Sequence, residues 1–352
     1  MNMEESKMKK YFVFLMIIIA ASLLCFINCD KRKYAWGKQA DIRVLADSTM
    51  WEEAEPILRD IFEKPLVTPQ NETVFTILQA DSTTFKKYNN LILIANLNED
   101  GSIARFLKKS LAPELLEKVE AGSYIFVKKD EWALNQFVMI LVAKNTETLK
   151  QRLTENKKYL FSLFNDHHNK LTKTAMFRIE EQKDVEEALL EKYGWMVRVQ
   201  YDYVLHIEAP EKNFVMLRRG YPERWLFVHW MDSNDPSIIE RAWMIEKRNE
   251  IGLQFYGGDQ VEEKYAPPKY EEVEFLGRRA SKLSGLWQNE ETVDGGCFIN
   301  YSFFDEELQR IFMLDFCMFD PRHKKTKRPI LRQGEVILHT FKTAREINGT
   351  CP

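Results

Sequence analysis

Apolar residues follow two rhythms along this chain. In "DIRVLAD" (41–47), "VFTILQAD" (74–81), "SYIFVKK" (123–129) and "QFVMILVAK" (136–144) they recur every second position or in short unbroken runs, the pattern of strands. "NLILIANL" (90–97) has almost no polar position, which predicts a central strand buried on both faces. Between these, 48–64 and 103–119 carry apolar residues three and four apart, the spacing of one helix face. "STTFKKY" (82–88) reads as a short helix, and 145–171 as one long amphipathic helix.

A second half starts near Phe177. "DVEEALLEKYG" (184–194) predicts a helix closed by Gly194, followed by strands over 195–209, 213–220 and 224–231. The stretch 235–252 predicts a helix with Pro236 in its first turn and Gly252 at its end, and 256–272 a loop. The segments 273–288, 297–304 and 310–319 predict an antiparallel meander, and 328–342 a closing helix with Pro329 in its first turn. The expected fold class is α+β: two tandem α/β halves with mixed, largely antiparallel sheets flanked by helices. The expected boundaries are an N-terminal α/β domain over 41–176, a C-terminal α+β domain over 177–345 and a flexible tail over 346–352.

The N-terminus changes the picture. Lys7, Lys9 and Lys10 precede an uncharged run from 11 to 28, 18 residues long. As a helix it would measure about 27 Å, at the lower limit for a bilayer span. It ends at Cys29, where charges begin, and there it resembles a bacterial lipoprotein signal, although Asn28 stands where a smaller residue is usual. The resemblance implies that 1–28 is a signal peptide, that Cys29 becomes the acylated first residue, and that 29–40 is a tether. The competing reading is an uncleaved signal anchor. Lys31, Arg32, Lys33 and Lys38 then lie next to the headgroups.

Composition narrows the function. The net charge of −3 with 29% charged residues argues against a nucleic-acid binder, and 45% hydrophobic residues supply a substantial core. No second apolar run approaches span length, and no Cys/His spacing suggests a metal, so no cofactor is expected. Of five cysteines, Cys297 and Cys317 fall on two strands joined by a short turn; a disulfide is expected there, with buried free thiols as the alternative.

The segment 285–342, with Gly285-Leu286-Trp287 followed by Gly295-Gly296, resembles a family of Bacteroidota envelope lipoproteins known as a domain of unknown function. Earlier pieces, 44–65, 90–97, 130–144 and 213–230, fit the same family in order, and Cys297 departs from it where proline is expected. The resemblance implies an envelope location and no particular activity. Basic rather than acidic residues after Cys29 imply an outer-membrane protein facing the periplasm.

Five further readings concern sites. Asp47-Ser48, Asp81-Ser82 and Asp232-Ser233 each follow a strand and precede a helix, which predicts N-caps; Ser48 and Ser82 also resemble O-glycan acceptors of exported Bacteroidota proteins. Trp287 with Gly295 and Gly296, read as a turn, is a candidate ligand groove. Arg322, Lys324, Lys325, Lys327 and Arg328 form a basic run suited to phosphate-bearing lipids, acidic glycans or carboxylates, or else a solvated loop. Five tryptophans between 195 and 287 suit either a sugar platform or a core. His206, Glu208 and His229 could meet across paired strands as an acid–base site, against the simpler reading of polar sheet faces. The expected function is a lipid-anchored envelope protein with a non-enzymatic binding, scaffold or assembly role, its partner an envelope protein or glycan. The alternative is an envelope hydrolase acting on glycan or peptide.

Overall fold

The computed structural model describes residues 32–320 and 326–349. Cys29, the apolar run before it, and Arg322, Lys324 and Lys325 lie outside the described residues. The first half contains β1 (Asp41–Leu45), α1 (Ser48–Phe62), the small pair β2 (Pro65–Leu66) and β3 (Glu72–Thr73), β4 (Thr76–Gln79), β5 (Asn90–Asn96), α2 (Ser102–Ser110), α3 (Pro113–Glu120), β6 (Ile125–Lys129), β7 (Phe137–Ala143), α4 (Thr146–Glu155) and α5 (Lys157–Met176). Its sheet runs β4-β1-β5-β7-β6, with three parallel pairings and an antiparallel β6. β5 is the central strand, and its residues 90–95 are all buried, as its unbroken apolar run requires. One face packs on α1, α4 and α5 through Leu58, Leu149 and Phe164; the other packs on α2 and α3 through Leu107 and Val119.

The second half contains α6 (Lys183–Tyr193), β8 (Trp195–Met196), β9 (Tyr203–Ala209), β10 (Phe214–Arg219), β11 (Glu223–Asp232), α7 (Arg241–Phe255), β12 (Gln260–Glu262), β13 (Lys269–Phe275), β14 (Arg278–Asn289), β15 (Asp294–Asp305), β16 (Arg310–Phe319), α8 (Arg328–Leu338), β17 (Lys342–Thr343) and α9 (Ala344–Asn348). Its large sheet is antiparallel in the order β12-β14-β15-β16-β11-β10-β9, with β13 also on β14. α8 covers one face and α7 the other, each over its own apolar cluster. The fold is therefore α+β, in two halves with separate sheets.

Several boundaries move, each for a local reason. The long helix over 145–171 is two helices, broken at Asn156, whose side-chain amide donates to the Arg152 carbonyl at 2.8 Å. The helix over 103–119 breaks before Pro113, which supplies no N–H to continue it. The helix expected from 235 begins as a 3-10 turn at Pro236–Ile238, capped by Asp235, and continues as α7 past Gly252. The loop over 256–272 holds β12 and the start of β13. Residues 346–348 are not tail: Thr343 and Glu346 form a reciprocal capping box that starts α9. The tether is not free over 33–37: Ala35 N–H donates to Leu134 O at 2.8 Å and Trp36 N–H to Lys87 O at 2.7 Å, which fastens the segment to the first half.

The expected disulfide does not form. Cys297 is paired with Met318, and Cys317 with Phe298, so the two cysteines sit one register step apart and point to opposite faces of the sheet. Cys297 lies in the cluster under α8 and Cys317 in the cluster under α7, both as buried free thiols.

Candidate functional site

The predicted groove at Trp287 is filled. Trp287 is buried, packed edge-on against Trp225 at 5.9 Å and near Phe319 at 6.2 Å. Gly295 and Gly296 are not the turn; they belong to β15, where Gly296 sits directly opposite Trp287. A Cβ on Gly296 would come within 1.9 Å of the Met318 carbonyl oxygen and 2.8 Å of Trp287 Nε1. These glycines let a bulky indole close the core. Trp195 and Trp230 are core residues too.

The predicted histidine–carboxylate site is not assembled. His229 is aligned with Phe214 and Ala209, while Glu208 is aligned with Val215 and Val228, so they face opposite sides. Glu208 takes Lys192 at 2.8 Å, and His229 Nδ1 lies 3.0 Å from Asn213 O. Burial pushes His229 down to about 4, so it is neutral at physiological pH. Asp47 caps a helix, but not its own. Its carboxylate accepts from Ser102 Oγ at 2.9 Å and from the Ile103 and Ala104 N–H groups at 3.1 and 3.3 Å, at the start of α2. Asp81 holds the Thr83 N–H at 2.8 Å, and Asp232 pairs with Arg310 instead of capping. Ser48 and Ser82 are both exposed.

The basic run is divided between inside and interface. Lys327 is buried, with Nζ 3.0 Å from Asp320 O and 3.3 Å from its carboxylate, so it is no solvated anion-binding side chain. Arg328, the first residue of α8, reaches into the other half, where Nη1 donates to Thr73 O and Thr76 Oγ1, both at 3.0 Å. One turn on, Arg332 Nη1 donates to Asn165 Oδ1 at 3.0 Å and Asn169 Oδ1 at 2.6 Å on α5. α8 comes this close to its own sheet because residue 334 is glycine: a Cβ there would lie 2.2 Å from the Phe316 ring.

These arginines line a cleft of about 350 Å³ between the two halves. Lys64, Val74, Phe161 and Asn165 come from the first half; Val273, Lys282, Tyr301 and Glu335 come from the second. Two of its cations are matched: Lys282 pairs with Glu335 at 2.9 Å, and Lys269 with Glu271 at 2.8 Å. Lys64, Arg328 and Arg332 have no carboxylate within ion-pair distance among the described residues, and the remaining lining carboxylate, Glu274, is exposed. Burial and then the nearby Lys269 push the Lys64 ammonium down, and its Nζ lies 3.7 Å above the Phe161 ring. Burial drives Arg332 down to about 10, still cationic at neutral pH. Burial alone would raise the Glu335 carboxyl; Lys282, His339 and the Tyr301 hydroxyl outweigh it and hold it below the usual range. The cleft thus joins apolar walls to unmatched positive charge, an arrangement that favours an anion with an apolar body.

Residues 182–340 match the model of a family described as Domain of unknown function (DUF4837). Residues 35–177 match a second, Domain of unknown function (DUF8532). The matches meet where α5 ends and α6 begins. No curated protein matches the chain. Among solved structures, a crystal structure from Bacteroides thetaiotaomicron is 8% identical with a TM-score of 0.29, and the match covers 44% of this chain and 46% of that one, less than half its length. The Ran-binding protein Mog1p of Saccharomyces cerevisiae is 10% identical with a TM-score of 0.32, over 44% of this chain and 92% of that one. Likenesses this slight carry no argument about fold or function.

Arg328 was visible in the sequence as part of a basic run, and Arg332 ends the same run. Lys64, Asn165, Lys282 and Glu335 were not visible as a group, because no local spacing links residues brought together by the packing of two sheets. A detectable hint was the basic pair at 328 and 332, one helical turn apart and thus on one face.

Proposed function

We propose that this protein is a lipid-anchored binding protein of the bacterial envelope, carried by Cys29, whose inter-half cleft takes an anionic ligand. The observation that carries the ligand is the set Lys64, Arg328 and Arg332, three cations in one partly apolar cleft without carboxylate partners among the described residues. In the envelope such a ligand is a phosphate-bearing molecule or an acidic glycan. The uncharged run ending at Cys29 supports the anchor, and the basic residues after it support an outer-membrane protein facing the periplasm. Binding rather than hydrolysis is favoured because His229 and Glu208, which a hydrolase reading would bring together, lie on opposite sheet faces.

Titration calorimetry with inorganic phosphate and with hexyl phosphate tests the cleft. Saturable binding is expected for the wild type, weaker by about tenfold in Lys64→Gln and in Arg332→Gln, the effect of one charge-assisted hydrogen bond of ~1.5 kcal/mol. Equal affinity in all three sinks the cleft reading. The anchor is tested separately: Cys29→Ala should leave an unprocessed precursor without acyl label, and protease shaving of intact cells should leave the wild type uncut.

A further inference from the structure

Tyr34 and Trp36 are 74% and 67% exposed, although both lie on a segment held to the first half by backbone hydrogen bonds. The segment is bridged to Leu134 and Tyr88, and the Trp36 ring stacks on Tyr88 at 5.7 Å between centroids, so the indole has a fixed place. Both bridges lie at the ends where β5 and β7 begin, one end of the first sheet. Lysines are exposed on the same segments: Lys33 and Lys38 flank the two aromatics in the chain, and Lys87, whose carbonyl takes the Trp36 N–H, follows Lys86. Of the carboxylates close by, Glu131 is taken by Lys128 at 2.8 Å and Asp130 accepts the Gln136 N–H at 3.2 Å.

Fixed, exposed Trp and Tyr on a segment with exposed lysines match the chemistry of a headgroup layer, where amphipathic rings and cations both find partners. The chain itself points the same way. Cys29 is three residues before Arg32, and three links cannot span more than about 11 Å. We propose that this end of the first half lies flat on the bilayer, with Tyr34 and Trp36 at headgroup depth and the four lysines over anionic lipid. The proposal rests on the Cys29 anchor. It adds an orientation, in which the domain is docked rather than swinging on a tether.

The test uses the lipidated protein in vesicles of phosphatidylethanolamine and phosphatidylglycerol, part of the lipid carrying bromine near the headgroup. Wild-type tryptophan emission should be partly quenched, and the quenched part should be lost in Trp36→Phe. Replacing Lys86 and Lys87 with Glu should reduce it, and so should vesicles of phosphatidylcholine alone. Acyl labelling and vesicle flotation are scored on the same preparation. Labelled, floating protein whose quenching is absent, or unchanged by Trp36→Phe, overturns the orientation and leaves the anchor standing. Unlabelled protein that stays in solution overturns the anchor and the orientation with it.

Discussion

At the scale of single residues, strand alternation decides chemistry that spacing alone could not. Cys297 and Cys317 are near in the sheet, but the pleat sends one sulfur under α8 and the other under α7. Burial pushes the Cys297 thiol up to about 12 and the Cys317 thiol well above its ordinary value, which removes the reactive thiolate from both. Iodoacetamide should therefore leave both unmodified in the folded protein and modify both after denaturation, with no mass loss of two protons in the unreduced chain. A disulfide-linked peptide pair in the mass map would overturn this assignment. The strands themselves were legible from their apolar runs, but the register was not, because it follows from a turn length that the sequence does not specify. The same applies to Gly296, read as a turn residue and found beneath Trp287.

At the scale of elements, helices with a clean apolar stripe were legible, and those with a buried polar group were less so. α7 turns Met244, Ile245, Ile251 and also Arg248 inward, where a solvent-facing stripe would normally carry the charge. Arg248 Nε donates to Asp315 Oδ2 at 3.0 Å, and Asn300 donates to the same oxygen at 2.9 Å, so the helix is fastened by a buried ion pair from the sheet. α5 hides a comparable group. His168, on an otherwise polar stretch of that helix, is buried, with Nε2 3.0 Å from Asn90 Oδ1 and its ring against Phe75. Burial, then Arg332, then His167 push it down to about 3. Its folded value lies below the unfolded value of about 6.5, so the neutral ring stabilises the fold fully above pH 6.5 and loses that contribution as pH falls toward 3. From pH 7 to pH 5 the loss should be about 2 kcal/mol from this group alone. Urea denaturation at the two pH values measures it, and His168→Gln, which does not titrate, should shrink the difference by about that amount. An unchanged difference would place the proton elsewhere.

At the scale of the whole molecule, the sequence divided the chain near residue 177 and could not say how the halves meet. The structure has them share one helix start. Lys327, at the N-cap position of α8, makes no capping hydrogen bond with its side chain, and the free N–H groups of Lys327 and Arg328 are taken instead by Glu72 of the first half, at 2.7 and 3.0 Å. A carboxylate there meets both the unpaired donors and the positive end of the helix. Arg328 and Arg332 return the contact by donating into β3, β4 and α5, and both arginines line the cleft, with Asn165 and Asn169 beside them. Glu72→Ala should therefore cost about 0.5–2 kcal/mol, the range for a lost helix cap. The loss should be local before it is global: amide exchange at residues 327–331 should quicken while β5 and β7 keep their protection. Because the arginines of the cleft ride on the same helix, phosphate should bind more weakly in this variant although Glu72 itself carries the wrong charge to hold it. Unchanged exchange at the start of α8 would mean that Arg332 and its two asparagines hold the halves together without Glu72.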